Sequence, residues 1–210
     1  MLKMSFRIEE KSKFHISDYL KIRSLIEKEG GHSLYSKRKI SSLYFDNKEL
    51  SMFLDSEEGS VPRKKLRIRN YPDNIVDYYL EKKITSVERK FKTSEKKTKK
   101  EISYFKTNGI FDFTYGNCYP LINISYFREY FKINELRLTL DYKISYETAD
   151  RKNSIFDDET LILEIKSNTK IKDELFGNDL PLEKLRFSKY CEGMRKLYDK
   201  NEYQRMFSRI

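Results

Sequence analysis

A chain of 210 residues, 38% hydrophobic and 36% charged, suits one domain able to bury a sizeable core, and its formal net charge of +10 predicts attraction to a polyanion. The only histidines, His15 and His32, and the widely separated Cys118 and Cys191 disfavour a zinc centre, Ser-His or Cys-His catalysis and a disulfide. No run approaches the roughly 18 apolar residues of a membrane span, and without a recognisable signal peptide the expectation is a soluble protein of the reducing cytoplasm.

In chain order, Ser5 to Phe14 alternates Phe6 and Ile8 against Arg7, Glu9 and Lys11, which predicts a strand with one charged face. Ser17 is placed to cap a helix over about Asp18 to Glu29, with Leu20, Leu25 and Ile26 among its apolar residues and Gly30-Gly31 as its stop. Ile40 to Asp46 reads as a strand with Leu43 and Phe45 on one face and Ser42, Tyr44 and Asp46 on the other. A polar loop around Asp55 to Pro62 leads into Lys64 to Ile84, a hairpin whose turn contains Pro72, Asp73 and Asn74. Leu66, Ile68, Leu80 and Ile84 define its apolar face, and Lys65, Arg67, Arg69, Glu81 and Lys83 the opposite one.

From Val87 the chain is lysine-rich: ERKFKTS extends a strand before Ser94 caps a helix to about Thr107, crowded by Lys96, Lys97, Lys99 and Lys100 and anchored by Ile102 and Phe105. Gly109 ends it, and Phe111 to Pro120 reads as an irregular, aromatic-rich connection. Ile124 to Phe131 sets Tyr126, Arg128 and Tyr130 against Phe127 and Phe131. Leu136 to Ile144 sets Leu136, Leu138, Leu140 and Ile144 against Arg137, Thr139, Asp141 and Lys143, and Thr160 to Ser167 sets Glu164 and Lys166 behind Leu163 and Ile165. Leu182 to Tyr198 predicts one helix or two short ones, with Ser188, Lys189 and Tyr190 near a helical start, and the tail from Asp199 is expected to fray.

What recurs is basic side chains in mid-strand, with Glu-x-Lys at 9 and 11, 81 and 83, and 164 and 166. An antiparallel sheet closed into a barrel, its apolar face outward under helices, would enclose a cationic lumen. Like charges held together there call for an anion, and Arg and Lys suit phosphate oxygens. Glutamates among them suit a divalent metal that bridges to phosphate.

The motifs FRIEEK, SSLYFD, KLRIRNY, YLEKK, SYFREYF, LRLTLD, LEIK and FSKY, in this order and spacing, resemble the catalytic domain of the vacuolar transporter chaperone (VTC) polyphosphate polymerases, within the CYTH or triphosphate tunnel metalloenzyme superfamily. The resemblance implies an α+β fold, an antiparallel β-barrel tunnel with helices packed outside, over residues 1–198, followed by a tail at 199–210. It implies polymerisation of polyphosphate from ATP with a manganese or magnesium ion. Carried over, Lys11, Arg67, Arg69, Lys83, Arg128, Arg137 and Lys189 would hold phosphates, Glu164 would ligate the metal, and Ser188 and Tyr190 would complete the terminal phosphate site. Arg7 stands where many superfamily triphosphatases carry a first glutamate, which favours the VTC-like branch and fewer metal ligands.

The mechanism so implied needs no side-chain nucleophile, because positioning and charge neutralisation carry phosphoryl transfer. Glu9 and Glu81 are better read as partners of neighbouring bases than as metal ligands. The alternatives are a triphosphate or nucleotide phosphohydrolase and a non-catalytic polyphosphate- or nucleotide-binding module. Nucleic acid is not an expected partner, since the charges lie in strands lining a lumen too narrow for a duplex. A separate membrane partner is compatible with the sequence, which identifies none.

Overall fold

The computed structural model of the protein describes residues 8–73, 77–87, 90–168 and 175–198. Ser5, Phe6 and Arg7 of the expected first strand, Asn74 of the hairpin turn, Glu88 and Arg89, and the tail at 199–210 lie outside the described residues.

The elements are, in order, β1 (Ile8–His15), α1 (Tyr19–Lys28), β2 (His32–Asp46), α2 (Ser51–Glu58), β3 (Arg63–Asn70), β4 (Tyr78–Thr85), β5 (Lys90–Lys97), α3 (Lys99–Asn108), β6 (Ile110–Asp112), β7 (Gly116–Ile133), β8 (Leu136–Thr148), β9 (Ser154–Asp157), β10 (Thr160–Ser167) and α4 (Lys189–Leu197). The strands form one antiparallel sheet in the order β1-β10-β8-β7-β2-β3-β4-β5, with β9 beside β8 and β6 beside the start of β7. Among the described residues no ladder joins the edge strands β1 and β5. They meet instead through side chains: Glu9 of β1 lies 3.2 Å from Lys83 Nζ of β4 and 3.9 Å from Lys90 Nζ of β5. The curled sheet is thus a barrel tunnel whose seam is ionic.

Its outer face is apolar, as the alternation predicts. Ile22, Leu25 and Ile26 of α1 pack on Phe131, Leu138, Leu140, Leu163 and Ile165, while Ile102 of α3 joins Phe45, Leu66, Ile68 and Leu80 on the other flank. Each such fully buried side chain contributes roughly 1.5–3 kcal/mol. At one end α4 closes against apolar residues on the lumen-facing side of the strands, with Tyr190, Cys191 and Met194 among Ile40, Tyr44, Ile122, Ile124 and Ile162. Gly193 permits this approach, since a Cβ there would lie 2.5 Å from side-chain atoms of Ile122 and Tyr146.

Several local expectations change. The helix expected to be capped by Ser17 begins at Tyr19, because the Ser17 hydroxyl is hydrogen-bonded at 2.8 Å to His15 Nδ1 and the chain first makes a short 3-10 turn. Leu20 is 74% exposed, and Ile22 takes its expected place in the buried stripe. Residues around Asp55 form α2 instead of a loop: the Asp46 carboxylate accepts from Met52 N at 3.0 Å and Phe53 N at 2.9 Å, satisfying donors at the helix start. Ser94 stays in the β5 ladder opposite Glu81, with Lys96 and Lys97 also on the strand. Thr98 caps α3 in a capping box with Glu101.

The expected irregular stretch from Phe111 is largely a hairpin of β6 with the start of β7. Leu182 to Phe187 is not helical; Leu185 N donates to Lys11 O at 2.9 Å beside β1, and Ser188 caps α4. Ile144 does not share the face of Leu138 and Leu140. Lys143 adopts a left-handed backbone (φ 49°) near a register shift between Ser125 and Phe127, and beyond it Ile144 packs in the interior cluster with Ile124 and Tyr190.

Candidate functional site

On the β3–β4 wall, cross-strand register places Arg67 opposite Glu81. Arg67 Nε and Nη2 both donate to Glu81 Oε2, at 2.8 and 2.6 Å, and Nη1 donates to the Tyr44 hydroxyl at 2.9 Å. The other Glu81 oxygen faces Lys92 Nζ at 2.6 Å and Arg69 Nη1 at 3.8 Å. Burial alone would raise the Glu81 pKa, but Arg67, Arg69 and Lys92 together hold it at about 2. Arg69 is only 7% exposed and its buried Nε has no hydrogen-bond partner among the described residues.

The opposite wall repeats the arrangement. Asp141 of β8, fully buried, grips Arg128 of β7 through Nε at 2.5 Å and Nη2 at 2.6 Å, and accepts from Lys189 Nζ at the start of α4. Glu164 of β10 takes Lys166 Nζ at 2.8 Å and lies 3.7 Å from Arg128 Nη2. Burial opposes its ionisation, but Lys166, Lys11 and Arg128 keep it well below the usual carboxylate range. Glu9 links Lys83 and Lys166, at 3.2 and 3.7 Å, and is held low by the same cations against the effect of burial.

Two lysines differ from the rest. Lys11 Nζ donates to the Phe187 carbonyl at 3.0 Å and Lys65 Nζ to Ser188 Oγ at 2.6 Å, so both bond neutral oxygens. Burial pushes both ammonium groups down to about 8; neighbouring Lys83 adds to this at each. The extended stretch before α4 therefore bridges β1 and β3 across the lumen.

The structure brings Lys11, Arg67, Arg69, Lys83, Arg128, Lys189 and Glu164 onto inward-facing strand positions or the adjoining start of α4. Arg137 is exposed, with its guanidinium 5.7 Å from the Tyr130 ring centroid. Ser188 caps Cys191 N at 3.4 Å while accepting from Lys65. Tyr190 is stacked on Tyr44 at 5.0 Å, and its hydroxyl donates to Asp46 Oδ2 at 2.7 Å, within the core beneath the lumen. Lys65, Lys92, Lys166 and Asp141 also line the cluster. The alternation with Arg67 and Arg69 marks Lys65, Glu-x-Lys marks Lys166, and alternation with Arg137 puts Asp141 on the same face; strand register adds Lys92 opposite Lys83 and pairs Asp141 with Arg128.

A family model described as the VTC domain matches residues 6–198. Among solved structures, a candidate adenylate cyclase from Vibrio parahaemolyticus superposes with a TM-score of 0.59 at 13% identity, covering 91% of this chain and 99% of its own. A candidate adenylate cyclase from Bacillus halodurans gives 0.50 at 13% identity over 78% and 83% of the two chains. Comparison with the curated proteins finds no match. Identities this low speak to the fold alone, and that fold is the barrel described above. With the family match running from the first strand to the end of α4, the chain belongs to the VTC domain family.

Proposed function

We propose that the lumen binds phosphate chains and that the protein transfers the terminal phosphate of ATP to the end of a growing polyphosphate. The observation that supports an anionic substrate is the pair Lys11 and Lys65: partly buried ammonium groups facing one enclosed space, each bonded to a neutral oxygen. The surrounding Arg67, Arg69, Lys83, Arg128, Lys166 and Lys189 outnumber Glu9, Glu81, Asp141 and Glu164. A phosphate chain supplies the missing negative charge.

The chain's residues act by placement. Glu81 and Asp141 fix the guanidinium planes of Arg67 and Arg128 before substrate arrives, so little ordering remains when phosphate oxygens enter. The fixed cations stabilise negative charge spread over the transferring phosphoryl group, while the attacking oxygen belongs to the acceptor phosphate. Among the described residues no three His, Cys, Asp or Glu side chains converge on one point. Glu164, with Glu9 sharing its partner Lys166, suits a manganese or magnesium ion arriving with phosphate oxygens, which needs only one or two protein carboxylates. When bound, that ion would add charge neutralisation at the phosphate oxygens.

Incubating the purified chain with ATP and Mn, then resolving polyphosphate by length beside a free-phosphate assay, tests this reading. Long chains support it; free phosphate alone makes the protein a hydrolase, and binding without turnover makes it a binding module. Arg69→Ala is the sharper variant, because Arg69 has the looser contact with Glu81 while Arg67 also holds that buried carboxylate in place. It should weaken triphosphate binding by roughly 1.5–3 kcal/mol and leave a cooperative melt. Wild-type affinity in Arg69→Ala would remove Arg69 from the site.

A further inference from the structure

On the flank carrying α3, the β6–β7 hairpin displays aromatic rings to solvent. Phe113 at its tip is 97% exposed and Phe111 60%, and their rings pack edge to face at 5.5 Å. The residues between and after them are tied down. Asp112 is 4% exposed, receives Lys64 Nζ at 2.9 Å and accepts from Thr114 N, while the Tyr115 hydroxyl donates to Asp55 at 2.6 Å. A loose tip would fold its phenyl rings back onto the protein; this one is stapled so that they remain outside.

The chain enters this hairpin from α3 through Gly109, a buried position where a Cβ would lie 2.7 Å from Cys118 O and 3.1 Å from the Tyr119 ring. On α3, Tyr104 is 61% exposed and one turn from exposed Lys100, with Lys106 also exposed. The adjacent acids are already engaged: Asp112 by Lys64, and Glu101 by its capping box with Thr98 and by Lys97 at 3.5 Å. The local field is therefore positive, in a chain of net charge +10.

We propose that this tip and α3 dock the protein peripherally on an anionic phospholipid surface, with Phe111 and Phe113 entering the interface and Lys100 and Lys106 meeting the headgroups. Two phenyl rings on a convex tip offer a few hundred Å² at most, against the roughly 800 Å² per partner of a specific protein interface. Apolar side chains beside lysines, by contrast, suffice for shallow insertion where the headgroups are negative. The inference is independent of the chemistry assigned to the lumen.

The chain contains no tryptophan, so Phe113→Trp and Leu20→Trp each create one fluorescent reporter, the second at an exposed position on α1. With phosphatidylglycerol vesicles, the reporter at position 113 should shift to the blue and the one at position 20 should not. Phosphatidylcholine vesicles should move neither. In flotation with the same anionic vesicles, the Phe111→Ser/Phe113→Ser double variant should partition about ten-fold less than wild type or weaker still, while melting as cooperatively. Raising the salt should weaken wild-type binding by screening the lysines. Failure of the wild type to float, unchanged flotation of the double variant, or equal shifts at both reporters would overturn the proposal. So would a solution dimer that the double substitution dissociates, since the tip would then belong to a second copy.

Discussion

Glu164 lies between Lys166 Nζ at 2.8 Å and Arg128 Nη2 at 3.7 Å, a position equally suited to orienting cations and to meeting a metal. Glu164→Gln separates the roles, because it preserves shape and one carbonyl oxygen while removing the charge. As a metal ligand, Glu164 should be replaceable without loss of triphosphate binding, since its cations remain, but metal-dependent ATP consumption should fall sharply. As a purely structural partner, the same change should lower stability and leave turnover near wild type; turnover and ATP affinity measured on one folded variant decide between them. At this scale the sequence was informative about sidedness and silent about pairing. Alternation alone assigns Arg67, Arg69, Arg128 and Glu164 to one face, yet that Asp141 holds both Arg128 and Lys189 depends on β7, β8 and α4 meeting in space. Tyr190 carries the corresponding lesson: the motif resemblance assigns it to a phosphate site, whereas packing commits its ring to Tyr44 and its hydroxyl to Asp46.

Among the elements, α2 and α4 are joined through one carboxylate. Asp46, 2% exposed at the end of β2, accepts from Met52 N and Phe53 N of α2 and from the Tyr190 hydroxyl of α4. Asp46→Ala leaves those donors buried without their acceptor, so it should destabilise the fold by about 3 kcal/mol or more and loosen α4 at the lumen end. Denaturant unfolding together with hydrogen exchange along α4 measures both effects; a loss under about 1 kcal/mol would show that other packing positions α4. This link explains why α2 was hidden in the sequence. Its start is satisfied by a residue in the preceding strand, and the polar SEEGS stretch that follows resembles a loop. The β8 bulge was hidden similarly, since Lys143 continues a regular alternation and only its left-handed backbone turns Ile144 inward. Elements whose apolar period directly meets the core, such as the β3–β4 hairpin and the outward face of β10, were legible without their neighbours.

For the molecule as a whole, the lumen sets stability against binding, and Lys65 makes that opposition measurable. Burial pushes its ammonium down to about 8 against a raising pull from the Cys191 thiol, with repulsion from Lys83, Arg63 and Arg186 added, compared with 10.5 for an ordinary lysine. Below about pH 8 the group is protonated in both folded and unfolded chains, so the folded protein carries the full cost of the charge. Between about 8 and 10.5 the unfolded chain holds more protons at this site than the folded one, and its contribution to ligand-free stability therefore rises with pH. Triphosphate binding should run the other way, weakening as pH rises through about 8 because the ammonium that meets the anion is lost. Lys65→Met removes the charge while keeping an unbranched stem, so it should raise the ligand-free melting temperature near neutral pH and flatten this site's contribution to both slopes. Adding triphosphate should stabilise wild type more than the variant, since binding to the folded state raises its apparent stability. Calorimetry with and without triphosphate across this pH range provides the comparison. A Lys65→Met protein that melts lower than wild type without ligand and binds triphosphate equally well would show that Lys65 serves the fold rather than the phosphate chain.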